Sequence, residues 1–266
     1  MKIVFLSLAL IIISNKTLSQ NCPYNEYKGV LEVSEKVNSK KLKSINDSLK
    51  RVFEIVQFPL SSHLQYAIDI SKKTKDIEFI HSISIILAKG GIPKKYFRRY
   101  SSYNWYNEFN KEFYIYDSIY RSSFNIEFKK KIIEIIEDDR NFNKSFHKWR
   151  AGKEELTLSE MIKRASYIAE SLENVLNNYG LPIEKNIGYF LDQHNNINNL
   201  PFAPLIIHVK QRGRNIVEQE QIKKLVCYGV LGKEYIEIIP KIRGLSKNFS
   251  VKEEMTLRFN KYKMKN

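Results

Sequence analysis

One carboxylate lies where the sequence pattern calls for an apolar side chain. Apolar residues recur at three- and four-residue spacing from Phe128 to Trp149, which predicts a long helix with one buried face. Asp139 falls on that face, between Ile135 and Phe142. Because burying an unpaired ionised carboxylate is costly, we expect Asp139 to be paired, protonated or in contact with a wet cleft.

Two basic residues are the candidate partners of Asp139. Arg140 follows it directly, and His208 ends the apolar run of residues 205–207. A histidine beside a carboxylate can transfer protons near neutral pH, and an arginine can hold an anionic substrate by forked hydrogen bonds. One hypothesis is therefore a catalytic site of Asp139, Arg140 and His208. The interpretation that we favour is a buried polar network that only fixes the register of the helices.

A polar segment, residues 180–200, follows the helix with the clearest boundaries. Thr157 and Glu160 form a capping-box pattern at its start, and a glycine and a proline end it. Long loops inside compact regions are often functional, so this segment would cover the candidate site. The candidate binding residues at the end of the helix and in this segment are Tyr179, Gly180, Pro182, Gly188 and His194.

A metal site is an alternative for the same region. Asp192 and His194 would share one side of an extended segment, and His208 could complete the set. The chain contains no HExxH or CxxC pattern, so we predict neither a metal site nor a cofactor.

The C-terminal half, about residues 130–243, resembles a family of bacterial proteins known only as a domain of unknown function. The shared pattern consists of an Asp-Arg pair on a helix, a Tyr-Gly-x-Pro helix end, a glycine, and an apolar run that reaches a histidine. Here these are residues 138–140, 179–182, Gly188 and 205–208. This chain differs in having Ile207 before the histidine, and Lys241 and Arg243 where the family has a second Asp-Arg pair. The resemblance implies no particular reaction.

The N-terminus has the pattern of a secretory signal. Lys2 precedes an almost wholly apolar run, Ile3 to Ile13, which is too short to span a membrane. Small residues at positions 17 and 19 predict cleavage between Ser19 and Gln20, and an uncleaved N-terminal anchor is the alternative. Asn21 before Cys22 argues against a lipid anchor. We therefore predict an exported protein, periplasmic or extracellular, with no membrane span in the mature chain.

The chain has two cysteines, Cys22 and Cys227. An oxidising compartment permits a disulfide between them, which would tie the mature N-terminus to a late helix. The alternative is a buried thiol at Cys227 and a separate thiol near the N-terminus.

The formal net charge of +15 raises the question of an anionic partner. The basic residues are spread along the chain with acidic residues near most of them, so we do not expect a nucleic-acid partner. A protein or small-molecule partner in the cell envelope is the expectation that remains.

The apolar spacing predicts a mostly all-α, multi-helix bundle of helical hairpins. Only Met255, Leu257 and Phe259 alternate with polar residues, which predicts one minor strand near the C-terminus. The predicted organisation is a signal peptide (1–19), an N-terminal helical region (20–125), a C-terminal helical domain (126–244) and a tail (245–266). The functional expectation is a non-enzymatic envelope or secreted interaction protein, and the alternative is a small hydrolase-like enzyme.

Overall fold

The computed structural model describes residues 41–56, 58–246 and 250–263. The predicted signal peptide and Cys22 lie outside these residues. Within them the chain is mostly helical, and its strands form one two-stranded sheet. The predicted all-α fold class is therefore confirmed.

The first half of the described chain, residues 41–125, is helical. Its helices are α1 (Leu42–Ile55), α2 (Ser61–Thr74), α3 (Ile77–Lys89), a 3-10 helix (Lys94–Tyr100) and α4 (Tyr106–Ser123). Asp76 begins α3, because its carboxylate accepts a hydrogen bond from the backbone N–H of Phe79 at 3.1 Å. Helices α2, α3 and α4 pack in sequence order, as the hairpin pattern predicts.

The second half begins with a helical hairpin. Asn125 caps α5 (Ile126–Arg150), and the predicted capping box of Thr157 and Glu160 begins α6 (Leu158–Tyr179). The shorter helices that follow are α8 (Phe202–Gln211), α9 (Gln219–Cys227), α10 (Tyr235–Lys241) and α11 (Val251–Lys263).

The segment between α6 and α8 is more regular than predicted. It contains the one-turn helix α7 (Glu184–Ile187) and the strands β1 (Phe190–Leu191) and β2 (Ile197–Asn198). The strands are antiparallel, with Phe190 opposite Asn198. The polar residues of this segment are therefore largely turn residues of a hairpin.

The two halves have separate apolar cores. The N-terminal core contains buried side chains of α1 to α4, and the C-terminal core contains those of α5 to α11. Tyr189 and Ile197 lie in the second half but pack into the N-terminal core. The hairpin segment therefore joins the two cores.

The C-terminal segment corrects two expectations. Residues 255–259 lie in α11 and form no strand, and α11, which lies within the predicted tail, packs against α6. Met255 is buried, Phe259 is half-buried against the same core, and Leu257 is exposed. The two residues that face the core are thus four apart, which is a helical spacing that the alternating pattern also contains. No helix in the described part of the chain is long and apolar enough to cross a membrane.

Candidate functional site

Asp139 is buried in the apolar face of α5, with 3% of its surface exposed. The residues on either side of it along this face, Ile135 and Phe142, are also buried. The prediction that Asp139 lies on the buried face of this helix is therefore confirmed. The structure also shows which residues pair with its carboxylate.

His208, in the last turn of α8, and Arg212, directly after that helix, bind the two carboxylate oxygens of Asp139. Arg212 donates from one terminal nitrogen to Oδ1 at 2.6 Å, and Nδ1 of His208 lies 2.7 Å from Oδ2. The predicted pairing of Asp139 with His208 is thus present. Arg212 supplies the permanent positive charge.

Asn143, one turn after Asp139 on α5, closes the network. Its Oδ1 accepts a hydrogen bond from the second terminal nitrogen of Arg212 at 2.7 Å. Its Nδ2 therefore faces the other way, 2.7 Å from His208 Nδ1 and 3.2 Å from Asp139 Oδ2. One tautomer of His208 donates to Asp139 through Nδ1, and the other accepts there from Asn143. The network holds the imidazole in either case.

The charges of this network are balanced inside the protein. Burial lowers the pKa of the Arg212 guanidinium, and the attraction and hydrogen bond of Asp139 oppose that shift. The guanidinium also lies over the ring of Phe142, 4.6 Å from its centroid. Arg212 is therefore bound on both its polar edge and its flat face.

A small cavity of about 40 Å³ adjoins the network. Its polar lining includes His208, Arg212 and Arg258, and its apolar lining includes Phe146 and Met255. Arg258 in turn donates to Glu254 Oε1 and to the backbone oxygen of Gln211, each at 2.8 Å. Typical ligand pockets are several hundred Å³, whereas the volume of this cavity corresponds to a few water molecules.

The expected role of Arg140 is corrected by the structure. Its side chain is exposed, whereas the arginine that binds Asp139 is Arg212. The two positions next to Asp139 in the sequence point away from its face, because neighbouring residues are about 100° apart around a helix. Arg212 lies just after the last turn of α8, so the apolar spacing of that helix does not indicate that its side chain is buried.

The candidate binding residues at the end of α6 have structural roles. Tyr179 stacks on Phe128, with ring centroids 5.2 Å apart, and Gly180 ends the helix with φ of 79°. Pro182 is buried. These residues turn the chain from α6 towards α7 and do not line the cavity beside His208.

Gly188 lies where the two cores meet, in close contact with Gly90. It has φ of 75°, and a Cβ atom there would lie 2.4 Å from the backbone oxygen of Gly90. The next residue, Tyr189, donates its backbone N–H to the same oxygen at 2.8 Å. Glycine is therefore required at position 188 for both its conformation and its size.

His194 is exposed at the tip of the hairpin. Asp192 Oδ1 accepts the backbone N–H of His194 at 2.8 Å and that of Asn196 at 2.9 Å, so its carboxylate orders the turn. The part of the chain that is described holds no cluster of three or more His, Cys, Asp or Glu side chains suited to a metal ion.

Cys227 is the last residue of α9. Cys22, the other cysteine of the chain, lies outside the described residues. The predicted pairing of these two residues stays a prediction.

The sequence analysis missed two further buried carboxylates, Glu184 and Glu254. Glu184, the first residue of α7, is 5% exposed, and its side chain binds Ser61 at the start of α2. The one signal for its burial is that Ile183 and Ile187 flank it. A four-residue helix is too short to show a periodic face.

Comparison with known proteins adds no identification. No family model matches the chain, and no curated protein or solved structure is significantly similar to it. The resemblance to the family of unknown function therefore stays a prediction.

Proposed function

We propose that this chain is an exported, non-enzymatic interaction protein, and that Asp139, His208 and Arg212 form a brace between α5 and α8. The observation that carries the proposal is that the cavity lined by His208 and Arg212, within the described part of the chain, has a volume of about 40 Å³. A reacting group needs room for a substrate next to the proton donor, and this cavity has room only for water.

The pairing of the charges supports the same conclusion. Arg212 is 6% exposed and binds both Asp139 and Asn143, so its guanidinium is not presented to an anionic substrate. Arg258, the other arginine at the cavity, is held by Glu254 and the backbone of Gln211. Charged groups satisfied in this way specify a packing arrangement, which is the role of a structural network.

Export is the part of the proposal that rests on the sequence. The apolar run from Ile3 to Ile13 and the small residues at positions 17 and 19 favour a cleaved secretory signal. The functional surface would then meet a protein or small-molecule partner in the periplasm or outside the cell.

The proposal is tested with His208→Ala and the matched exposed control Asp138→Ala. Purified variants are offered a panel of ester, phosphoester, glycoside and peptide substrates, and the exported protein is cross-linked in the cell envelope. We expect no substrate whose turnover depends on His208, and the same cross-linked products for both variants. Turnover that His208→Ala removes from a folded protein, while Asp138→Ala keeps it, would overturn the proposal.

The second candidate function is a hydrolase-like enzyme, and one observation favours it. The His208 side chain is 32% exposed while Nδ1 contacts Asp139, which leaves Nε2 as the nitrogen for proton transfer. A carboxylate that orients a histidine in this way is a recurrent catalytic arrangement. The same substrate panel decides between the two functions.

A further inference from the structure

Glu184 caps a helix that belongs to the other half of the protein. Its Oε2 accepts the backbone N–H of Ser61 at 2.8 Å, and its Oε1 contacts the Ser61 hydroxyl. Ser61 begins α2, whose own N-cap residue, Leu60, offers no capping side chain. A residue 123 positions away in sequence therefore satisfies the first turn of α2.

The orientation of Asn199 fixes the direction of these hydrogen bonds. Its Nδ2 donates to the backbone oxygen of Gly229 at 2.8 Å, so its Oδ1 faces the Ser61 hydroxyl at 3.0 Å. That oxygen carries no hydrogen and can only accept. A hydrogen bond between these two groups therefore requires the Ser61 hydroxyl to donate its single hydrogen to Asn199.

The contact between Ser61 and Glu184 then needs a hydrogen from the carboxyl group. With a proton on Oε1, Glu184 donates to Ser61 Oγ, Ser61 donates to Asn199, and Oε2 still accepts the Ser61 N–H. Each donor and acceptor of Glu184, Ser61 and Asn199 in this series of hydrogen bonds then has a partner. An ionised carboxylate would leave Glu184 and Asn199 competing for one hydroxyl hydrogen in a buried place, which is costly.

We propose that the folded protein holds Glu184 as a neutral carboxylic acid, and that loss of its proton loosens the junction between the two cores. The strength of the contact between the two cores then depends on pH. Ser61 belongs to α2 of the N-terminal half, whereas the Gly229 oxygen that orients Asn199 follows α9 in the C-terminal half.

The electrostatic environment agrees with this protonation state. Burial raises the pKa of Glu184 to about 7, although the hydrogen bonds from Ser61 and the charge of Lys129 oppose the rise. Lys129 on α5 donates to the backbone oxygen of Tyr189 at 2.5 Å, and burial lowers its pKa to about 8. Among the described residues, Lys129 supplies the charge that acts on Glu184. Tyr189 presents its hydroxyl to the Pro59 oxygen, at 2.7 Å, so it adds no charge to the junction.

The direction of the pH effect follows from the two pKa values of Glu184. Its reference pKa is 4.5 and its folded pKa is about 7, so the folded protein binds more protons between these pH values. This group therefore destabilises the fold progressively as pH rises from about 4.5 to about 7. The full effect on the folding equilibrium constant is on the order of a hundredfold.

The test replaces Glu184 by glutamine, which reproduces the neutral acid. The amide of Glu184→Gln can donate to Ser61 Oγ and accept from the Ser61 N–H, and it cannot ionise. Urea unfolding is measured from pH 5 to pH 8 for the wild type, for this variant and for Glu134→Gln, an exposed control on α5. We expect the wild type and the control to lose stability relative to Glu184→Gln across this range.

Two readouts on the wild-type protein accompany this comparison. Infrared spectroscopy should detect a protonated carboxyl group at pH 5–6 whose band is missing in Glu184→Gln. Hydrogen exchange at the start of α2, corrected for intrinsic rates, should accelerate at pH 8 in the wild type but not in the variant. The proposal is overturned if Glu184→Gln fails to fold, if its stability follows the wild-type pH profile, or if the infrared band is missing.

Discussion

Asp139 and Arg212 are 73 positions apart in the sequence, and an ion pair of 2.6 Å joins them in the core. This pair links α5 to the end of α8. His208 and Asn143 complete its hydrogen bonds. The geometry explains how an apolar helix face can tolerate a carboxylate.

Removal of the Asp139 charge should destabilise the fold strongly. Asp139→Ala leaves Arg212 buried with half of its partners lost, and breaking a buried pair in this way typically costs about 3–5 kcal/mol. Urea unfolding at neutral pH measures the change in the free energy of unfolding. Asp138→Ala, on the exposed side of the same helix, is the matched control and should leave the midpoint unchanged. Equal midpoints for the two variants would show that Asp139 is not a structural partner.

The two arginines considered as partners of Asp139 should behave differently. Arg212→Met removes the hydrogen bonds to Asp139 and Asn143, so we expect a loss of a few kcal/mol in unfolding free energy. Arg140→Met, at an exposed position, should unfold at the wild-type denaturant concentration. A larger effect at Arg140 than at Arg212 would contradict the structural assignment.

Gly188 and Gly152 form a matched pair of glycines. Both have positive φ, but a Cβ at Gly188 would meet the Gly90 oxygen at 2.4 Å, whereas nothing lies within 4 Å of one at Gly152. Gly188→Ala should therefore lower the melting temperature more than Gly152→Ala, by an amount that reflects about 1–3 kcal/mol of steric cost beyond the shared backbone strain. Similar melting temperatures would mean that the two cores do not approach at Gly188.

Lys129 should add its own pH dependence. Its folded pKa of about 8 is lower than the ordinary value of 10.5, so the folded protein binds fewer protons between these values. Stability from this group is lowest below about pH 8 and recovers as pH rises towards 10.5. Lys129→Met should remove that recovery in unfolding experiments from pH 8 to pH 10. A recovery that persists in the variant would assign it to another group.

Export and processing are checked by mass spectrometry of the protein outside the cytoplasm. The predicted mature chain begins at Gln20, and a species that begins at Met1 would contradict cleavage. A mass measured before and after reduction under denaturing conditions also tests the predicted disulfide between Cys22 and Cys227.

Local patterns predicted the helical fold class, the two longest helices and the burial of Asp139. The capping box at Thr157 and the apolar spacing of α5 depend on neighbours within a few residues, which a sequence displays directly. His208 was also identified, because it ends a visible apolar run. These features involve one helix at a time.

The residues that were missed depend on contacts between distant segments. Arg212 lies just beyond α8 and Glu184 lies in a single turn, so neither occupies a position that a periodic pattern could mark. Ser61 has no local partner for its hydroxyl, and the partners come from positions 184 and 199. Such pairs become visible only when the tertiary fold places them together.

The most direct test of the central claim is a double-mutant cycle on Asp139 and Arg212. The free energy of unfolding is measured for the wild type, Asp139→Asn, Arg212→Met and the double variant. A structural brace predicts that the second substitution costs much less once the first is present, with a coupling of about 2 kcal/mol or more. Additive effects, with a coupling near zero, would contradict the claim that these two residues hold α5 and α8 together.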